Sequence, residues 1–136
     1  MRHAIVSLTL LAGIAVACAA PGLPPGDNTA LVGAWGGAHV KLALTDSGGA
    51  IEYDCAHGGF GTPLRPDGAG RFEITGVHVR EHGGPVRMGE VPDSMPARYV
   101  GQVRGNRMTL RVFVRADTLG PFDLGRDVPP QLVRCL

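Results

Sequence analysis

Cysteine and histidine lie two residues apart in the stretch IEYDCAHGG, residues 51–59, where Cys55 precedes His57. A free thiolate beside an imidazole can act as a nucleophile or bind a metal, but it needs an accessible and electropositive site. In the alternative interpretation Cys55 is one half of a disulfide and His57 only lies nearby. The choice decides whether the chain is treated as an enzyme.

Residues 78–82, HVREH, have the His-x-x-Glu-His spelling of the inverzincin metalloproteases. That chemistry needs a helix, which brings both histidines to one metal. On a strand His78 and His82 would be about 13 Å apart, too far for one zinc ion. Because glycines flank the stretch and a strand-like run precedes it, we predict a strand that leads into a loop.

Metal binding by histidine alone is a further possibility, because imidazole suits Zn, Cu and Ni. The candidates are His39, His57, His78 and His82. A hairpin would place His39 and His57 near each other at one strand end, but no close spacing supports chelation. The sequence therefore predicts no cofactor, with a metal-dependent function kept as an alternative.

Other catalytic sets are not visible in the sequence. Beyond residue 17 the only serines are Ser47 and Ser94, and neither lies in a Gly-x-Ser-x-Gly context. The stretch GGFGTP, residues 58–63, lacks the lysine and the helix of a phosphate-binding loop. We predict a protein that is not an enzyme.

The N-terminus is typical of an exported protein. Arg2 and His3 precede an apolar run over residues 4–17, which is too short for a comfortable transmembrane helix. The stretch AVAC, residues 15–18, at the end of this run resembles a bacterial lipobox. This resemblance implies that 1–17 is a signal peptide and that Cys18 is lipidated. The competing interpretation is ordinary cleavage after Ala19 or Ala20, which would give a soluble periplasmic or secreted protein.

Residues 18–30 are rich in proline and glycine and predict a tether, and 31–136 predict a single domain. Once Cys18 is lipidated or removed, only Cys55 and Cys135 remain. Export to an oxidising compartment favours a disulfide between them. Cys55 is thus predicted to be structural.

Residues 39–45 and 50–56 predict a first hairpin around a turn at 46–49. In this register Leu42 faces Tyr53, Val40 faces Cys55 and Lys41 meets Asp54, so one face is apolar and Cys55 points inward.

Residues 97–103 and 108–114 predict a second hairpin, with Gly105 and Asn106 as its turn. Its inward pairs are apolar or glycine, as in Tyr99 with Val112. Its outward face carries five arginines: Arg98, Arg104, Arg107, Arg111 and Arg115. Such a face is a candidate site for an anionic envelope component or an acidic protein partner. Nucleic acid is not expected outside the cytoplasm.

The remaining strands are predicted over 71–79 and near 60–64, 119–124 and 131–135, which brings the count to about eight. The apolar residues of 80–96 follow neither a helical nor a strand periodicity, which predicts a long loop. The fold expected is a small antiparallel β-barrel or sandwich with one disulfide.

Two short motifs carry resemblances. GAW, residues 33–35, resembles the Gly-x-Trp opening of calycin barrels such as lipocalins and avidins, which implies a late arginine packed over Trp35, with Arg134 as the candidate. YDC with the terminal RCL is similar to small lysozyme-inhibitor lipoproteins, whose barrels are closed by a disulfide. EYDCAHG and REHGGP resemble uncharacterised bacterial exported proteins, which implies no activity.

These observations favour a binding or interaction module anchored to the bacterial envelope membrane through a lipid and facing the periplasm or the exterior. Its ligand would be an anionic envelope component, a small molecule or a protein. A purely structural envelope lipoprotein is the alternative. The near balance of 13 Lys and Arg against 12 Asp and Glu points to no partner by net charge.

Overall fold

The computed structural model describes residues 29–135. Each strand pairs antiparallel with the next along the chain, and the last pairs with the first, so the sheet closes into a barrel. The all-β prediction is confirmed, in its barrel form. The eight strands are Gly33–Gly37 (β1), Val40–Leu44 (β2), Gly49–Tyr53 (β3), Ala56–Phe60 (β4), Arg71–Arg80 (β5), Asp93–Arg104 (β6), Arg107–Val114 (β7) and Asp117–Arg126 (β8). The predicted signal peptide 1–17, Cys18 and the tether as far as residue 28 lie outside the described residues.

Alternating side chains fill the barrel. In β2, for example, Val40, Leu42 and Leu44 are buried while Lys41 and Ala43 are exposed. An eight-stranded barrel has an interior just wide enough for side chains or one small ligand. Here the largest fully buried side chains are Trp35, Tyr99, Leu42, Ile51, Leu64, Met108, Leu110, Val40 and Val112.

The second hairpin forms in the predicted register. Val103 pairs with Met108, Tyr99 with Val112, and the turn is Gly105–Asn106. Gly105 has φ of 59°, a conformation that glycine adopts without steric cost.

The predicted register of the first hairpin is wrong by two residues. Val40 pairs with Tyr53, and Lys41 pairs with Glu52, whose carboxylate is 3.0 Å from the ammonium, instead of with Asp54. The turn comes one residue earlier than predicted, at 45–48, where the Thr45 hydroxyl accepts the N–H of Gly48. A shift of two preserves which residues face inward, because side chains alternate with a period of two.

Cys55, which was predicted to point inward from a strand, is an exception because β3 already ends at Tyr53. It lies in the two-residue turn between β3 and β4, with φ of 60°. The sulfur is bonded to Cys135, which confirms the predicted disulfide.

Three other predicted elements change. Of the run predicted near 60–64 only Phe60 belongs to a strand, β4, which begins at Ala56. The loop after β5 covers 81–92 instead of the predicted 80–96. Residues 131–135 are not one of the eight strands and contribute one isolated parallel bridge, between Gln131 and Ala38. The sequence did not predict β1, because its three glycines give it no alternating pattern of apolar and polar side chains.

One end of the barrel is closed by Arg126. Its guanidinium lies 4.5 Å from the centre of the Trp35 ring, and its Nη1 donates to the Val32 carbonyl at 2.9 Å. The sequence made Arg134 the candidate for this position, which was wrong. Arg126 occupies it because the end of β8 pairs with β1 at Trp35, whereas Arg134 lies in the chain beyond β8. We call this the closed end.

After β8 the chain runs back along the outside of the barrel as a strap, residues 127–135. It crosses β1 and β8 at Gly36 and Gly125, which are paired with each other. A Cβ on Gly36 would lie 2.1 Å from the Val128 carbonyl oxygen, so only glycine lets the strap pass this closely.

The strap is fastened at the other end of the barrel. Gln131 accepts the His39 N–H at 2.8 Å and donates to the Gly37 carbonyl at 3.0 Å. The Val133 N–H donates to Asp54 at 2.6 Å. This hydrogen bond is the main reason why the pKa of Asp54 is lowered; burial opposes the shift, and His39 adds to it. The disulfide then joins Cys135 to Cys55.

We predict that the Cys55→Ser and Cys135→Ser double variant is less stable by up to about 4 kcal/mol, because the bond restricts a long loop of the unfolded chain. The two cysteines are 80 residues apart. Urea unfolding with and without reductant measures the difference. Wild type in reductant should match the double variant, and equal stability of oxidised wild type and variant would contradict the prediction.

Candidate functional site

The arginines of the second hairpin form a stripe along one outer side of the barrel. We call Arg98, Arg104, Arg107, Arg111 and Arg115 the arginine stripe. Arg104 and Arg107 pair with each other beside the Gly105 turn, whereas Arg115 lies just past β7, in the next turn. From 107 to 115 the stripe spans roughly 26 Å.

Most of the stripe has no carboxylate partner. Arg98 lies 3.2 Å from Glu73 and 4.5 Å from the centre of the Phe113 ring. For the other four arginines, no carboxylate oxygen of residues 29–135 lies within 4.0 Å. Asp123 on β8 is close to the stripe but accepts the Thr109 hydroxyl at 3.3 Å. Four of the five stripe arginines therefore form no direct ion pair with the described residues.

A second candidate site is the open end of the barrel, which we call the mouth. A cavity of about 490 Å³ opens here between the turns after β1 and β3 and the adjoining ends of β5 and β8. Its lining is apolar and aromatic toward the barrel, with Tyr53, Leu119 and Phe122, and charged at the rim, with Arg80 and Glu81. The volume falls within the range of small-molecule sites.

Two polar atoms beneath the mouth are inaccessible to solvent and have no hydrogen-bond partner within 3.5 Å among the described residues: His78 Nδ1 and the Tyr53 hydroxyl, which neighbours the Tyr99 side chain. Their rings are 5.5 Å apart, and the Phe122 ring is 5.6 Å from Tyr53. Burial, followed by the neighbouring Tyr99, raises the pKa of Tyr53, so its hydroxyl is a proton donor at neutral pH. Burial, followed by the charges of Arg80 and His57, lowers the pKa of His78, against the opposing effect of Asp93.

The four candidate metal-binding histidines are not brought together. Three contact separate carboxylates: His39 contacts Asp54, His57 contacts Glu81 at 2.6 Å, and His82 contacts Glu90. His78 points into the barrel instead. Within residues 29–135, no group of three or more His, Cys, Asp or Glu side chains could hold a metal ion.

The HVREH stretch is a strand followed by a loop, as predicted. His78 to Arg80 are the end of β5, while Glu81 and His82 lie beyond it. The two histidines therefore do not lie one helical turn apart. The Gly83 carbonyl, followed by Glu90, raises the pKa of His82.

Sequence reasoning missed the mouth, although a signal for it exists. Tyr53 shares the inward face of β3 with Ile51, and His78 shares the inward face of β5 with Phe72. A histidine at an inward position of an alternating strand indicates a buried imidazole. That Tyr53 and His78 meet could not be predicted, because β4 separates β3 from β5.

Comparison with protein-family models, with curated proteins and with solved structures finds no match for this chain. Residues 29–135 contain no helix that is long and apolar enough to cross a membrane.

The lowered pKa of His78 predicts a loss of stability in mild acid. Below the unfolded-state value, about 6.5, the unfolded chain binds a proton that the folded barrel does not, so the free energy of unfolding falls as pH decreases from 7.5 to 5.5. Urea unfolding should show a shallower fall for His78→Phe. His39→Asn, a change in an exposed histidine that does not contribute to the lowered pKa of His78, should retain the wild-type slope, and an unchanged slope in His78→Phe would contradict the assignment.

Proposed function

We propose that this protein is a non-enzymatic lipoprotein of the bacterial cell envelope that binds anionic envelope material through the arginine stripe. The observation that carries the proposal is the set of four stripe arginines without a carboxylate partner among the described residues. Guanidinium groups aligned on one sheet face repel one another, and an anionic partner relieves that repulsion. Phosphate and carboxylate groups match the guanidinium fork.

The position of the tether supports contact between this stripe and a membrane surface. Residues 29–32 approach β1 at the closed end, where Leu31 donates to the Leu64 carbonyl at 2.8 Å. The Gly105 turn lies at the same end, since the Arg126 N–H donates to the Asn106 carbonyl at 3.0 Å. Arg104 and Arg107 flank this turn and therefore lie on the tethered side of the barrel.

A lipid on Cys18 would keep the stripe close to the membrane. A semi-extended tether from residue 18 to residue 30 reaches roughly 35 Å, which is similar to the length of the stripe. Holding the barrel within this distance raises the effective concentration of headgroups around the arginines. Weak individual contacts are then sufficient for a lasting association.

Processing at Cys18 can be measured directly. We predict that the mature protein begins at an acylated Cys18 and fractionates with membranes, and that Cys18→Ser abolishes the acyl mass. Intact-mass spectrometry and membrane fractionation provide the readouts. A soluble product that begins at Ala20 or Pro21 without added acyl mass would reject the lipoprotein assignment while leaving export intact.

Binding by the stripe is tested with a chain that begins at Thr29, which carries all eight strands and the strap. We predict that it binds vesicles containing phosphatidylglycerol in 50 mM salt but not neutral phosphatidylcholine vesicles, and that 300 mM salt weakens binding. Arg107→Glu with Arg111→Glu should reduce the affinity at least about tenfold, since each arginine near an anionic surface contributes on the order of 1 kcal/mol.

The matched control is Lys41→Glu with Arg134→Glu, which changes the net charge equally at exposed sites outside the stripe. This control should retain most of the affinity. Circular dichroism establishes that each variant is folded. Binding that ignores salt, or that falls equally in the stripe variant and the control, would contradict the proposal.

A further inference from the structure

The end of the second hairpin brings two arginines together on one side of the sheet. Arg104 is the last residue of β6, Arg107 is the first residue of β7, and the two pair directly with each other. Opposed residues of an antiparallel pair point to the same side, and their Cα atoms are about 5 Å apart. No other two stripe arginines pair between β6 and β7, because Arg98 and Arg111 are opposite apolar residues.

Neither guanidinium of this pair has a carboxylate partner among the described residues. Both side chains are exposed, and no carboxylate oxygen of residues 29–135 lies within 4.0 Å of either one. The turn between them is open as well, since a Cβ on Gly105 would meet nothing within 4 Å. An anion can therefore reach both guanidinium groups from solvent.

The backbone that carries the pair is held from both sides. On the side of β5, the Val103 N–H donates to the Gly70 carbonyl at 2.8 Å. On the side of β8, the Arg126 N–H donates to the Asn106 carbonyl at 3.0 Å. An anion thus meets two arginines whose backbone is already in place, which reduces the entropic cost of binding.

We propose that Arg104 and Arg107 bind a phosphate monoester on a membrane lipid headgroup, an inference that rests on the proposed function and names the ligand of one part of the stripe. A phosphate monoester carries about −1.5 to −2 charges at pH 7 and three terminal oxygens, whereas a diester carries a single negative charge. Two guanidinium forks match both the charge and the oxygens of the monoester. The pair lies at the closed end, toward the tether, which favours a headgroup over a solute as the source.

The other charged groups near the pair are arginines and aspartates. On the side of β5, Arg71 lies 3.2 Å from Asp67. On the side of β8 are Asp123, Arg126 and, just past the strand, Asp127. The described histidines line cavities at the mouth and beside the loop 81–92 instead. A fall in affinity between pH 7.5 and pH 5.0 therefore reports the titration of the ligand.

The first test uses the full-length protein in detergent with two soluble probes, glycerol 3-phosphate as the monoester and glycerophosphoglycerol as the diester. Phosphorus NMR of the probes gives the affinities, and the Nε–H signals of Arg104 and Arg107 locate the binding. At pH 7.5 we expect the monoester to bind at least about fivefold more tightly, because it presents about one more negative charge. At pH 5.0, below the second pKa of the monoester, the two affinities should agree within about twofold.

Arg104→Gln with Arg107→Gln should bind the monoester at least about fivefold more weakly than the wild type and should lose the preference over the diester. The matched control, Lys41→Gln with Arg134→Gln, removes the same charge outside the stripe and should keep the preference. Circular dichroism establishes that both variants are folded. Equal binding of the two probes to the wild type at pH 7.5, or a preference that survives in the Arg104 and Arg107 variant, would overturn the proposal.

Nanodiscs distinguish a lipid headgroup from free phosphate as the source. The full-length protein is placed in phosphatidylcholine nanodiscs that contain phosphatidic acid or phosphatidylglycerol at matched surface charge. We expect the Arg104 and Arg107 signals to change more with phosphatidic acid. A response to glycerol 3-phosphate without a response to phosphatidic acid would overturn the headgroup assignment.

The same nanodiscs separate failure of this inference from failure of the proposed function. Equal responses of the pair to both lipids, with Arg111 responding as well, would reject the monoester and leave the proposed function intact. No response of any stripe arginine to either lipid would reject the proposed function itself.

Discussion

Closure of the sheet between β1 and β8 is the constraint on which every other feature depends. The pairing is short, with Trp35 opposite Arg126 and Gly36 opposite Gly125. Arg126 reinforces it by lying against Trp35, and the strap reinforces it by crossing both glycines before it reaches Cys55. Without this closure β1 and β8 would expose unpaired edges, which favour pairing with other chains.

The same closure makes the two ends of the barrel different. At one end Trp35 and Arg126 fill the opening, and residues 29–32 lead into β1 there. At the other end the strap is fixed to the rim by Asp54 and the disulfide, while Tyr53 and His78 line an open cavity. A lipid at Cys18 would thus orient the molecule, with Arg104 and Arg107 toward the membrane and the mouth away from it.

Local patterns predicted those parts of the fold that local interactions determine. The second hairpin was correct because a two-residue turn at Gly105 leaves a single register. The first was wrong by two because the turn can be placed at 45–48 or 46–49, and both placements bury the same faces. Arg126 and the mouth depend on strands that are distant in sequence, and the strap depends on two glycines that have no side chain to form a pattern. The disulfide was predicted from cysteine count and export, independently of the fold.

In the proposed function, arginines without an ion-pair partner on one side of the barrel bind the anionic partner. The most direct measurement follows the side-chain Nε–H signals of individual arginines by NMR as phosphatidylglycerol nanodiscs are added. We expect the signals of Arg104, Arg107 and Arg111 to shift or broaden first. The signals of Arg71, which lies 3.2 Å from Asp67, and of Arg126, which donates a hydrogen bond to the Val32 carbonyl, should remain unchanged. Equal changes in all arginines, or changes confined to Arg80 at the mouth, would contradict it.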